Sequence, residues 1–279
     1  MEICAFLSSM KICLIIPLIV TSALADKRCR GIDFDEKYYN LDIVKEGINH
    51  LHDLALNRNN NNVYFTYETL SSIPSTVLGC LDTETRKTEV IHGIRNATAV
   101  AIDQFYGKVY VGGADGLFKI NDQKVPERLP IQDNIKSLHY RDVLYFINRN
   151  GEAYKFEDGY ATLVPELRGV EVDKLVIDSD NNIIFTKNKS LFRVKIGTRA
   201  INSHEMYTAD CLTTDVYHKP YICTKKGVYV YNKYKYVYDR IAKIGGLKAL
   251  AFNKLNEPFY AVADYLIKLK ISEIGCFED

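Results

Sequence analysis

Val109-Tyr110-Val111-Gly112-Gly113-Ala114-Asp115-Gly116-Leu117-Phe118-Lys119-Ile120 is an apolar-aromatic run, a tight polar turn and a second alternating run. Side chains that alternate in this way belong to pleated strands, and a short glycine-bearing turn between two such runs makes a hairpin. The phrase returns along the chain. Its copies are Val63-Tyr64-Phe65-Thr66 (partner strand unclear), Leu144-Tyr145-Phe146 with Gly151 to Phe156, and Ile183-Ile184-Phe185-Thr186 with Leu191 to Val194. Two more are Tyr221-Ile222-Cys223-Thr224 with Gly227 to Tyr231, and Phe259-Tyr260-Ala261-Val262 with Leu266 to Leu269. Anchored on residues 64, 110, 145, 184, 222 and 260, the steps are 46, 35, 39, 38 and 38 residues. A period near forty made only of strands predicts radial blades, here an all-β, six-bladed β-propeller.

Another short apolar run precedes each anchor, for example Val100-Ala101-Ile102, Leu175-Val176-Ile177 and Ala249-Leu250-Ala251-Phe252. Asn- and Asp-rich turns separate the two runs. A blade therefore reads as inner strand, second strand, third strand and outer strand. Both faces of each sheet need cover, which neighbouring blades supply, so the ring must close. The last copy ends after its third strand, while Tyr38-Tyr39-Asn40-Leu41-Asp42-Ile43-Val44 stands alone before the first. That N-terminal strand is expected to complete the last blade and remove both open edges. Cys29 and Cys276 lie just outside the paired strands, and a disulfide between them would lock the ring, contributing roughly 5 kcal/mol.

Residues 1–25 read as a secretory signal peptide: Lys11, the apolar run Ile12 to Val20, and Ala23-Leu24-Ala25 before Asp26. The run is too short to span a bilayer. Residues 26–279 then form a single propeller domain, secreted and extracellular. The net charge of +1 gives no electrostatic footprint for nucleic acid, and polybasic membrane clusters are missing. Five cysteines remain beyond the signal. Cys211 and Cys223 either face each other across a hairpin or are free and buried, and Cys80 is left as a small core residue.

GxSxG, HExxH, Walker and GxGxxG patterns are all absent, so neither catalysis nor a cofactor is expected. His50 and His52 could share a strand face, but no third metal ligand is near in sequence. Asp178-x-Asp180-x-Asn182 opens like a calcium loop, yet Ile183 and Lys189 stand where that loop requires glycine and glutamate. An Asx-rich hairpin turn accounts for it better. Asn96-Ala97-Thr98 and Asn188-Lys189-Ser190 are glycosylation sequons, Asn188 in the more open turn. The chain has 20 tyrosines and no tryptophan, with a dense run from Tyr229 to Tyr238 that reads chiefly as packing between blades.

Cys29-Arg30-Gly31-Ile32, Val109 to Lys119, Val164-Pro165-Glu166-Leu167 and Leu266-Ile267-Lys268-Leu269, in this order and spacing, resemble the ommochrome-binding proteins of moths and butterflies. The resemblance runs over the whole mature chain. It implies a secreted haemolymph carrier of a small, acidic, aromatic pigment derived from tryptophan, without catalytic activity, and the chain is expected to be a monomer. Propeller ligands sit at one mouth of the axis, where inner strands begin and second strands end. Mapped onto this chain, the rim carries Tyr67, Arg95, Lys136, Arg149, Lys174, Lys187, Lys225, Lys248 and Tyr265, with Asp115, Asp173, Asp210 and Asp264 among them. Tyrosine faces would stack on the pigment and cationic groups would meet its acids. The alternative is a metal-dependent lactonase-like hydrolase on the same scaffold, with Asn96, Asp173 and Asp210 at the inner-strand entries.

Overall fold

Strand alternation becomes six antiparallel sheets in the computed structural model, which describes residues 31–273. The first 25 residues and the Cys29–Cys276 bridge lie outside the described residues. Blade one is Asp53–Leu56, Asn62–Glu68, Thr76–Asp82 and Thr88–Ile91; blade two is Ala99–Asp103, Lys108–Gly113, Gly116–Ile120 and Pro126–Arg128. Blade three is Ile135–Arg141, Val143–Asn148, Ala153–Glu157 and Tyr160–Leu163. Blade four is Lys174–Ile177, Asn182–Lys187, Ser190–Lys195 and Asn202–Thr208, and blade five is Cys211–Thr214, Pro220–Thr224, Gly227–Asn232 and Val237–Ala242. In blade six, Leu247–Phe252, Pro258–Val262 and Tyr265–Ile271 are joined by Lys37–Lys45. No helix among the described residues is long and apolar enough to cross a membrane.

The N-terminal strand closes the ring as the strand count requires. Tyr39 pairs with Ile271, Leu41 with Leu269 and Ile43 with Ile267. A further strand, Ile32–Phe34, folds back on Lys37–Lys45 as a fifth member of that sheet, and the Asp35 amide donates to the Ile241 carbonyl of blade five at 3.0 Å. Phe34 and Tyr39 thereby enter the packing between blades five and six.

Burial follows the seams between neighbouring sheets. Val63, Phe65, Ala261 and Leu266 pack between blades six and one, and Leu78, Cys80, Val100 and Val111 between one and two. Leu117, Ile135 and Phe146 fill the next seam, Ile147, Leu175 and Phe185 the one after, and Ile184, Leu212 and Ile222 that between four and five. No blade has a core of its own, so the stability of each depends on its neighbours. Gly116 and Gly227 open the third strands of blades two and five with φ of +140° and +144°. A Cβ at either would strike the carbonyl oxygen of Ile131 or Ala242, which is why the turn phrase keeps glycine there.

The cysteine alternatives are resolved. Cys211 and Cys223 are direct cross-strand partners and form a disulfide with Cα atoms 4.8 Å apart. Cys80 is a free, buried thiol in the seam between blades one and two, and burial raises its pKa.

Candidate functional site

Inner strands start at one end of the ring and second strands return to it, so every rim residue expected from the sequence stands at that end. Lys136, Lys174 and Lys248 lie at the starts of inner strands, and Tyr67 and Lys187 at the ends of second strands. Arg95, Arg149 and Lys225 occupy the adjoining turns, and Tyr265 begins a third strand. Within that end the side chains separate. Lys136, Arg149 and Lys174 line one cavity of about 390 Å³ with His52, Asp53 and Thr98. Lys248 lines an adjoining cavity of about 430 Å³ with His50, His52, Glu68 and Asp264. His52 belongs to both and reaches Glu68 at 3.4 Å. Arg95, Lys187, Lys225, Tyr67 and Tyr265 line neither. Tyr67 instead lies against the Phe65 ring, with centroids 5.4 Å apart.

Ion pairing decides which rim charges are free. Asp173 holds Lys136 at 2.6 Å, Asp210 holds Lys189 at 2.6 Å, and Asp115 holds Arg128 at 2.9 Å. Arg149 and Lys248 have no carboxylate within ion-pair distance among the described residues. Arg149 and Lys248 are therefore the unpaired cations of a mouth whose other lining lysines, Lys136 and Lys174, each face a carboxylate. Asp53 stands at its floor, where the axial channel begins. It accepts the Val100 amide at 3.0 Å and lies 3.7 Å from Lys174. Burial raises its pKa, opposed by Lys174 and by the backbone donors.

Asp173 and Asp210, the carboxylates expected at the inner-strand entries, are each paired with a lysine. Among the described residues no three His, Cys, Asp or Glu side chains converge into a set that could hold a metal ion. Asp178 closes its turn instead: its Oδ1 accepts the amides of Asp180 at 2.9 Å and Asn182 at 2.8 Å, and the Asn182 side-chain amide at 3.0 Å. Asn96 and Asn188 are both exposed and both adopt positive φ, +46° and +50°.

Two features of the opposite end escape a sequence reading. Tyr217, Tyr231 and Tyr234 line an open groove of about 670 Å³ between the turns of blades four and five, and of the tyrosine run Tyr234 serves this surface and not a seam. Tyr231 and Tyr238 do pack into the seam, 5.2 Å apart. The second feature is the axial channel, about 120 Å³, which runs from Asp53 and Lys174 down to Arg58, Gln104 and His218. Its signal in sequence is faint, because its lining is spread over the inner strands of all six repeats.

Comparison with known proteins agrees with the scaffold. No family model matches the chain. An ommochrome-binding protein from Manduca sexta is 22% identical over 258 residues, covering 90% of this chain and 93% of that protein. The resemblance read from the motifs is borne out. A gluconolactonase from Xanthomonas campestris superposes with a TM-score of 0.67 at 11% identity, covering 88% of this chain and 96% of that one. The calcium-binding protein regucalcin from Agrobacterium tumefaciens gives 0.63 at 12% identity, covering 84% and 94%. At such identities these two likenesses speak to the fold alone.

Proposed function

We propose that this protein is a secreted, non-catalytic carrier that binds an ommochrome-type pigment at the mouth of its propeller. The observation that carries the reading is the likeness to an ommochrome-binding protein along nearly the whole chain. The geometry supports it. Arg149 and Lys248 offer cationic donors to an acidic planar ligand, and guanidinium and ammonium groups bind carboxylates through charge-assisted hydrogen bonds.

Equilibrium dialysis of recombinant protein against an ommatin pigment, with the visible spectrum as readout, tests this. Stoichiometric binding is expected, weakened about tenfold by Arg149→Gln as one charge-assisted bond is lost. A wild-type protein that retains no pigment overturns the reading. The lactonase alternative rests on the fold likeness, and Asp173 and Asp210 are each already held by a lysine. Metal-dependent lactone turnover by the same preparation would put it first.

A further inference from the structure

The end of the ring away from the mouth carries a groove for which pigment binding has no use. It crosses the edge of blade five and has the turn at Asp178, Ser179 and Asp180 of blade four as its other wall. Its volume of about 670 Å³ is that of a small-molecule site. Tyr217 stands in the turn between the first and second strands of blade five, and Tyr234 in the turn between the third and fourth. Strands of one sheet lie about 4.8 Å apart, so the centres of these two turns are about 10 Å from each other. Pro220 and Val230, on the intervening strands, add apolar lining.

Both rings are held out and left uncovered. Tyr217 is 65% exposed and Tyr234 86%. Neither meets another aromatic ring among the described residues, whereas Tyr221, Tyr231 and Tyr238 all do. Their turns are fixed from within. Asp215 Oδ1 accepts the Tyr217 and Lys219 amides at 2.9 Å each, and Asn232 Oδ1 accepts the Tyr234 and Lys235 amides at 3.1 and 3.2 Å. A tyrosine so placed offers a wide amphipathic face and freezes only two side-chain torsions on binding. The charges around the rings balance. Asp178, Asp180 and Asp239 line the groove with Lys219 and Lys233, and Lys235 pairs with Asp239 at 3.7 Å, three acids against three bases. Lys233 in turn reaches Asp180 at 3.5 Å. An ion of either sign gains little in such surroundings. Hydroxyl groups both donate and accept, so carboxylate, ammonium and the Ser179 hydroxyl are all partners for them.

We propose that this groove binds a neutral carbohydrate, with two or more linked sugar units stacking their apolar faces on Tyr217 and Tyr234 and bonding through their hydroxyls to the acids and lysines along its edges. Two platforms set that far apart call for a ligand that turns an apolar face to each in succession, as linked pyranose rings do. The open groove leaves their outer hydroxyls in water. The site lies at the opposite end from the mouth and does not depend on the pigment reading. Its sugar is either free in solution or part of a glycan on another protein.

Saturation-transfer NMR of the recombinant protein with maltose, cellobiose, lactose and diacetylchitobiose tests the free sugars. Biolayer interferometry against ribonuclease with and without its high-mannose glycan tests the protein-borne source. Saturable binding is expected in at least one arm. It should weaken about tenfold in Tyr217→Ala and in Tyr234→Ala, each losing one stacking contact. Affinity should survive in Tyr234→Phe, which keeps the aromatic face, and in Tyr160→Ala, which removes an exposed tyrosine of blade three. Binding of a disaccharide identifies a soluble sugar, and binding of the glycosylated ribonuclease alone identifies a glycan on a partner; either supports the site. Absence of saturable binding in both arms, unchanged affinity in either alanine variant, or a groove that takes indole-3-acetate and no sugar overturns the proposal.

Discussion

Acidification should destabilise this propeller through His139 well before its carboxylates titrate. The imidazole sits on the inner strand of blade three, wetted only from the channel. Burial first, then His218 and Arg141, hold its pKa down at about 3 against an ordinary 6.5. A base whose folded pKa is depressed binds its proton preferentially in the unfolded chain. The native state therefore keeps its full stability above about pH 6.5 and loses it progressively as the pH falls toward 3. The gap of about 3.5 pH units corresponds to about 5 kcal/mol over the whole window, and the part between pH 7 and pH 5 to about 2 kcal/mol. Channel water screens some of this, so these are upper figures. His218 and His204, both depressed chiefly by burial, add in the same direction. His139→Gln preserves an acceptor for the Ile177 amide and removes the titration. Urea unfolding followed by far-ultraviolet circular dichroism at pH 7, 6 and 5 should show wild type losing about 2 kcal/mol more than the variant. Parallel pH profiles for the two proteins would refute the argument.

Other expectations concern the frame. Asp178→Ala strips three donors of a nearly buried acceptor, which should cost about 3 kcal/mol and lower Tm by roughly 6–12 °C, with calcium or chelator leaving the wild-type Tm unmoved. Reducing Cys211–Cys223, which closes a short loop with a sequence separation of 12, should remove about 3 kcal/mol, read as a lower urea midpoint in dithiothreitol. Tyr39→Ala empties a buried position on the closing strand, where the ring meets Phe34 edge-on at 6.3 Å. A loss of about 3–5 kcal/mol is expected, with limited proteolysis moving to the Lys37–Lys45 strand.

The blades were legible because their seams demand alternation at every strand, and the missing outer strand followed from counting. The fifth strand of blade six was not. Its hairpin turns at Asp35 and Glu36, with φ of +50° and +62°, a geometry normally signalled by Asn-Gly or Asp-Gly. With Glu in the second place the turn carries no such mark, and its strand Ile32–Phe34 is only three residues long. At the mouth, position along a strand told which end a residue occupies but not its distance from the axis. Lys136, Arg149 and Lys174 therefore converge, whereas Tyr67 is drawn into the neighbouring seam.

At the lower end, one position breaks the repeat. After the inner strand, Asn57, Asp103, Asp178, Asp215 and Asn253 are each buried, and each turns its Oδ1 onto amides of the following turn. The scaffold thus consumes the acids it places near the channel, as an Asx turn does wherever it forms. In blade three, register puts Arg141 where blades one, two and four carry Asn57, Asp103 and Asp178: His139 pairs with Tyr145 as Ala101 pairs with Tyr110 and Val176 with Ile184. The shorter turn at Asp142 has no amides for a side chain to cap, so the position is released from its structural duty. The side chain that fills it is a guanidinium whose buried Nε makes no hydrogen bond and lies 3.6 Å from the Asp142 carboxylate. Where the repeat no longer needs an acceptor, the chain supplies a cation.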